Sequence, residues 1–227
     1  MILPFGLSPV EAKIVLDALT LVAGVSAFLA GLFQYHRAQT WKRHEFVAGE
    51  IRQFNQDPLS RNAMLMLDWG SRRIELFPEM TDPKTRFVNV DRPMLRTALM
   101  THDKIGRRYT DVEAAIRDCF DAFFNHLGRF HQFCQASLVK PEQFRPYLQY
   151  WLDTIGKEID PDVRERLREY LAFYRFEGAQ RLLVLFGVDV QPAVPVLQDP
   201  ALRLKALDLQ ESSGAAEKAD SSSSQSG

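Results

Sequence analysis

The first distinct pattern in the chain is an apolar stretch, residues 14–35, that is followed at once by basic residues. As a helix it measures roughly 33 Å at about 1.5 Å per residue, which covers a hydrocarbon core of about 30 Å. Its single charge, Asp17, lies near the N-terminal end, and Thr20 and Ser26 are the polar residues between there and Phe33. The pattern predicts a transmembrane helix over residues 14–35.

The helix that contains this stretch has a marked start and a late end. The segment from Ser8 to Glu11 has the capping-box spacing, with proline at the first helical position. No further proline occurs before Pro58, and the glycines in between are tolerated in membrane helices. We therefore predict one helix over residues 9–56, in which residues 36–56 form a stalk beyond the membrane.

Two other interpretations of the apolar stretch compete with a membrane span. A cleaved signal peptide has a basic start, a shorter apolar core and a small-x-small cleavage site, whereas this start carries Lys13 against Glu11 and Asp17. A buried helix of a soluble protein usually has a polar stripe, which residues 18–33 lack. The sequence therefore favours the span.

Basic residues predict the orientation of the span. Residues 36–56 carry four Lys or Arg and residues 1–13 carry one. The positive-inside rule then places residues 1–13 outside as a short stub and the rest of the chain in the cytoplasm. At the anionic inner leaflet we expect Arg37, Lys42 and Arg43 to contact lipid headgroups.

Small residues form a stripe along the predicted span. Ala23, Ala27 and Gly31 are spaced by four, so they share one helix face and allow a second membrane helix to approach closely. The stripe predicts a packing face for self-association, with the alternative that these small residues are ordinary for a membrane helix.

Beyond the stalk the pattern predicts an all-α fold, a helical bundle over residues 57–187. Asp57, Thr110 and Asp160 each stand at an N-cap, and Thr110 also begins a capping box. The clearest helix follows Thr110, and its apolar residues step by four and three in a coiled-coil-like stripe. The stripe consists of Val112, Ile116, Phe120, Phe123, Leu127, Phe130 and Cys134. We expect this helix to be central.

Two segments depart from the helical pattern. Residues 76–93 contain three prolines, and within them Phe87, Val88 and Val90 are expected to be extended. From Val188 onward prolines and serines replace the periodic apolar residues, so residues 188–227 are predicted to be a disordered acidic tail.

The charge is unevenly distributed although the net charge is only −1. Residues 36–110 contain 14 basic and 9 acidic residues, a net of +5, whereas residues 111–227 contain 13 and 18, a net of −5. The basic half follows the span and fits an anionic membrane surface, although a chance imbalance on a solvated surface explains it equally well. No continuous basic stripe with aromatics occurs, so we expect no nucleic-acid binding.

The chain shows no motif for catalysis or for a cofactor, and we predict neither a cofactor nor a metal. His131 and Cys134 are three residues apart, but two ligands fall short of the four that structural zinc needs. Cys119 and Cys134, on one predicted helix, are too distant for a disulfide. No nucleophile elbow and no glycine-rich phosphate loop is present.

The segments DPLSRNAMLMLDW and RDCFDAFFNHLGRFHQF, together with the order of span, stalk and helical body, resemble uncharacterised bacterial single-span membrane proteins with a helical cytoplasmic domain. This resemblance implies a location in the bacterial inner membrane. It implies no activity and no catalytic residue.

Three functional hypotheses follow from the sequence. The first is a non-enzymatic, membrane-anchored interaction module that binds a protein partner or itself. The second is an enzyme with a polar pocket between helices, which should receive at least three of Asp118, Asp121, His126 and His131. The third is an oligomerising, membrane-disrupting effector that uses the Ala23, Ala27 and Gly31 face.

Overall fold

The computed structural model describes residues 9–193 of the 227-residue chain. Most of the predicted outside stub and most of the predicted tail lie outside the described residues. The chain divides into two compact units, Met1–Ala48 and Gly49–Gly227, which are described separately below.

The described chain is mostly helical, with one small sheet. The helices are α1 (Pro9–Gln56), α2 (Pro58–Asp68), α3 (Pro83–Arg86), α4 (Arg92–Ala98), α5 (His102–Ile105), α6 (Asp111–Gln135), α7 (Pro141–Asp153), α8 (Pro161–Phe173) and α9 (Glu177–Leu185). A π-helical turn, Thr154–Glu158, directly follows α7. The strands are β1 (Ser71–Glu75) and β2 (Phe87–Asp91).

The long first helix has the predicted bounds. It begins at Pro9 and ends at Gln56, where Asp57 and Pro58 end it and start α2. Within the first unit, every large apolar side chain of the predicted span is exposed. The last turns of α1, from Gly49 onward, belong to the second unit together with residues predicted for the body. The predicted stalk, residues 36–56, is thus divided between the two units.

Two short strands add a small sheet to the mostly helical fold, as predicted in its main class. β1 and β2 pair antiparallel, with Ile74 opposite Val88 and Arg72 opposite Val90. The expected extended segment at residues 87–90 is present as β2. Its partner β1 was not predicted, because Ser-Arg-Arg-Ile-Glu contains one apolar residue and its pairing depends on a strand further along the chain.

Helix α6 lies against α2, α4, α7 and α9 within the second unit. Its predicted capping box is present: the Thr110 hydroxyl accepts from the Glu113 amide, and the Glu113 carboxylate accepts from the Thr110 amide. Ile116 and the four apolar residues from Phe120 to Phe130 on the predicted stripe are buried, whereas Val112 and Cys134 at its ends are half-buried. Each such buried side chain contributes about 1.5–3 kcal/mol relative to exposure in water.

The core of the second unit contains a cluster of phenylalanines in mutual contact. Phe54, near the end of α1, packs against Phe123 and Phe130 with ring centroids 5.6 Å away in both cases. Phe130 stacks in turn on Phe144 of α7 at 4.7 Å. These contacts join the end of α1, α6 and α7 in one aromatic cluster.

Two glycines bring α6 and α9 into close approach. A Cβ at Gly178 would stand 2.9 Å from the Cα of Gly128, which is closer than real Cβ contacts allow. A Cβ at Gly128 would find its nearest neighbour, the Ala179 nitrogen, at an ordinary 3.7 Å. The crossing therefore requires glycine on α9 more strictly than on α6.

The packed chain continues past the predicted boundary at residue 187. Gly187 adopts the left-handed conformation expected after a helix end, with φ +84°. Beyond it Val188 and Val190 are buried, and Asp189 forms an ion pair with Arg168 at 2.9 Å. Residues 188–190 thus pack with the body rather than belonging to a disordered tail. The sequence pattern did not predict this, because the two valines are not part of a periodic helical pattern.

Candidate functional site

A buried arginine marks the most unusual polar site in the described chain. Arg117 on α6 is 7% exposed, although the sequence places it off the apolar stripe. Its Nη1 atom donates hydrogen bonds to the carbonyl oxygens of Ala98 and Met100, each at 2.9 Å. These carbonyls close the C-terminal end of α4, so the guanidinium fixes that end to α6.

Three tyrosines surround this guanidinium. Its central carbon lies 4.2 Å from the ring centroid of Tyr109 and 4.8 Å from those of Tyr170 and Tyr174. A desolvated cation over aromatic rings is stabilised by about 2 kcal/mol. Burial raises the pKa of all three tyrosines, so their hydroxyl groups remain protonated hydrogen-bond donors.

The tyrosines connect Arg117 to an acid and to a histidine. The Tyr170 hydroxyl donates to Asp121 Oδ1 at 2.5 Å, and the Tyr174 hydroxyl is hydrogen-bonded to Nδ1 of His102. Burial raises the pKa of Asp121, and the hydrogen bond from Tyr170 and the charge of Arg117 oppose this shift only in part. The result is a carboxyl group that takes up a proton more readily than an exposed aspartate.

An open cavity of about 720 Å³ borders this cluster. Its size falls within the range of about 300–1,000 Å³ typical of small-molecule sites. The lining combines charged, aromatic and small side chains, namely His102, Arg108, Tyr109, Thr110, Asp111, Ala114, Arg117, Asp118, Asp121 and Tyr174. Such a lining can hold a polar ligand and can store a proton on Asp121.

The residues proposed for an enzyme pocket are only partly brought together. Asp118 and Asp121 line the cavity, whereas His126 and His131 do not. His126 instead faces Asp57, and the pKa of His131 is lowered by burial and by the charge of Arg181. The cavity thus receives two of the four residues, fewer than the three that the enzyme hypothesis requires.

The other residues singled out in the sequence are the two cysteines on α6 and the small and basic residues on α1. Cys119 and Cys134 are free thiols on α6, and burial raises the pKa of Cys119 to about 12. Among residues 9–193, no three His, Cys, Asp or Glu side chains converge as metal ligands would. The stripe residues and the headgroup residues are all exposed on α1; they are Ala23, Ala27, Gly31, Arg37, Lys42 and Arg43.

The Arg117 cluster was not predicted from the sequence, although one signal for it was present. Glu113, Arg117, Phe120 and Phe124 step by four, three and four, so they share a face that includes two core phenylalanines. All four are buried. A charged residue on such a face indicates a buried, paired charge.

No protein-family model matches this chain, and neither a curated protein nor a solved structure is significantly similar to it. The site is therefore interpreted from its own residues.

Proposed function

We propose that this protein is a single-span membrane protein whose helical body binds a protein partner or a second copy of itself at the cytoplasmic face. The observation that carries the proposal is the exposed apolar surface of α1. One helix among the described residues, Lys13–Gln56, is long and apolar enough to cross a membrane, and no residue in its most apolar window is buried. The pattern of exposure around this helix supports a lipid environment.

The exposed side chains surround the helix. They include Leu16, Leu19, Leu21, Val22, Val25, Phe28, Leu29 and Phe33, each at least 50% exposed. Together with the exposed Ala23, Ala27 and Gly31 on the remaining arc, these positions cover the whole circumference of a 3.6-residue helix, so a flat protein partner would cover only a part of them. Lipid surrounds a helix completely, and soluble monomers rarely expose apolar patches this large. The surface thus supports a lipid environment over a helix packed in a protein core.

The basic residues after the apolar stretch support the orientation. Arg37, Lys42 and Arg43 are exposed, so all three are accessible to anionic headgroups. Each such contact contributes about 1 kcal/mol near the membrane surface. The proposal therefore has the N-terminus outside and the body in the cytoplasm of a bacterial cell.

Cysteine labelling in intact cells tests this arrangement. In a variant without the native cysteines, a membrane-impermeant maleimide should label Ser8→Cys before lysis and Ser71→Cys only after lysis. Labelling of Ser71→Cys in intact cells would show that the orientation is opposite to the proposed one. If mass spectrometry found that the mature protein lacks its first residues, a cleaved signal sequence would be supported instead.

Self-association is proposed to use the small-residue stripe. A Cβ at Gly31 would meet nothing within 4 Å, so the stripe is open to a second helix. In bilayers, Gly31→Leu should weaken energy transfer between labelled copies, whereas Ala18→Leu, on the opposite face of the helix, should not. An equal effect of both variants would show that the small-residue stripe is not the face used for self-association. Overexpression toxicity lost with Gly31→Leu alone would favour the third hypothesis, a membrane-disrupting effector.

The cavity beside Arg117 favours a second candidate function, a ligand-binding pocket. Its support is the juxtaposition of Asp118 and Asp121 with His102 and Arg117 around one open volume. Electron density for a small molecule co-purified in this cavity would support it.

A further inference from the structure

A second polar cluster joins the end of α1 to α6, away from the Arg117 cavity. Within the second unit it consists of Glu50, Gln53, Asp57, His126 and Arg129, named here the α1–α6 clamp. Arg129 Nη2 lies 3.0 Å from Nδ1 of His126, 3.1 Å from Gln53 Oε1 and 3.2 Å from Glu50 Oε2. This guanidinium nitrogen is therefore hydrogen-bonded to His126 and Gln53 and forms an ion pair with Glu50.

The clamp is incompletely hydrogen-bonded. Glu50 Oε2 and Arg129 Nε are buried without a hydrogen-bond partner among the described residues. A buried polar atom left without a partner costs free energy. The last turns of α1 are thus held on α6 by the Phe54 packing and by polar contacts that a small change can disturb.

The hydrogen bond from Arg129 assigns the tautomer of His126. Because Nδ1 accepts from Arg129, the ring proton of neutral His126 is on Nε2. Nε2 faces Asp57 Oδ2 at 3.5 Å, while that carboxylate also accepts from the Ser60 hydroxyl at 2.6 Å. The neutral ring therefore bridges a donor on α6 and an acceptor at the start of α2.

Protonation of His126 reverses the role of Nδ1. The nitrogen becomes a donor and faces Arg129 Nη2, so two cationic donors stand 3.0 Å apart. The charged groups around the ring are Arg129 on α6 itself, Glu50 on α1 and Asp57 before α2. Burial and then Arg129 lower the pKa of His126, and together they outweigh the two carboxylates. The clamp as built therefore disfavours the protonated ring.

We propose that the α1–α6 clamp is an acid-sensitive latch, which holds the end of α1 on α6 while His126 is neutral and loosens when His126 takes up a proton. The repulsion between protonated His126 and Arg129 is relieved when the Arg129 guanidinium moves away from Nδ1. The same movement breaks the contacts of Arg129 with Gln53 and Glu50. This inference is independent of the proposed membrane function, since all of its residues lie in the second unit.

Hydrogen exchange of the full chain in nanodiscs tests the latch. After correction for the intrinsic pH dependence, amide protection over residues 50–56 should fall about fivefold between pH 7.5 and pH 5.5. His126→Gln can accept from Arg129 and donate to Asp57 without titrating, so it should keep full protection at both pH values. The matched control, His131→Gln, removes another histidine of α6 and should respond to acid like the unaltered protein.

A second variant covers the case in which His126→Gln does not fold. Arg129→Gln removes the guanidinium, so protection over residues 50–56 should be low at both pH values, while that of α8 should be unchanged. The proposal is overturned if the unaltered protein shows no loss at pH 5.5, if the loss persists in His126→Gln, or if His131→Gln abolishes it.

Discussion

At the scale of single residues, Arg117 shows how this chain accommodates a buried charge. Removing a guanidinium from water costs several kcal/mol, and the cost is offset only when its surroundings supply acceptors. Here two carbonyl oxygens, three tyrosine rings and the nearby carboxyl group of Asp121 do so. The cluster is therefore stable as a set and sensitive to the loss of one member.

Replacing Arg117 by methionine should destabilise the protein severely. Arg117→Met keeps apolar contact with the tyrosines but removes the guanidinium from the Ala98 carbonyl and leaves the Met100 carbonyl with the Tyr109 hydroxyl alone, so we expect a loss of about 3 kcal/mol in the free energy of unfolding. Arg108→Met is the matched control, because Arg108 lines the same cavity but is exposed, and it should change stability by less than about 0.5 kcal/mol. Urea denaturation in detergent measures both; equal losses would refute the special role of Arg117.

Glu113 gives a second prediction, on pH dependence. Hydrogen bonds from Arg107 lower its pKa to about 2, against an ordinary 4.5, and the Thr110 amide helps while burial opposes. A lowered carboxyl pKa stabilises the folded state above the unfolded pKa, and this contribution is lost as pH falls through the folded pKa. The stability difference between the unaltered protein and Glu113→Gln should be constant above about pH 5 and shrink toward pH 2. A difference that does not vary with pH would contradict this assignment.

At the scale of elements, the caps were predictable and the sheet was not. Asp57, Thr110 and Asp160 accept backbone hydrogen bonds at the starts of α2, α6 and α8, as their spacing indicated. These signals are local, since the cap and the amide it satisfies lie within three residues. Strand β1 depends on pairing with a segment 16 residues further along the chain. Its two adjacent arginines also break the apolar–polar alternation by which a strand is recognised in a sequence.

The glycine pair between α6 and α9 allows a sharp test of packing. Gly178→Ala forces its Cβ against backbone atoms of α6 and should cost about 1–3 kcal/mol. Gly128→Ala meets only ordinary contacts and gains helix propensity, so it should be neutral or stabilising by up to about 1 kcal/mol. Thermal unfolding of the two variants distinguishes the two sides of the crossing. A reversed order would show that the helices cross elsewhere.

At the scale of the whole molecule, the sequence and the structure agree on where apolar surface is left exposed. The apolar run was predictable because lipid demands length and uniform hydropathy, both of which are visible in one dimension. The Arg117 cavity was not, because it assembles α5, α6 and the segment after α8 from residues more than 60 positions apart. The helix face that Arg117 shares with Phe120 and Phe124 indicates its burial, but its partners lie on other elements and no local pattern shows them.

The central claim is that residues 14–35 lie in hydrocarbon. Alkaline carbonate extraction of membranes that contain the full-length protein tests it most directly. The unaltered protein should stay in the membrane pellet. Leu21→Arg combined with Val25→Arg should be released, because each central charge costs about 2.5–3.5 kcal/mol in a membrane helix. Leu138→Arg combined with Val184→Arg, at exposed positions of the body, should stay in the pellet. Release of the unaltered protein into the supernatant would contradict the account.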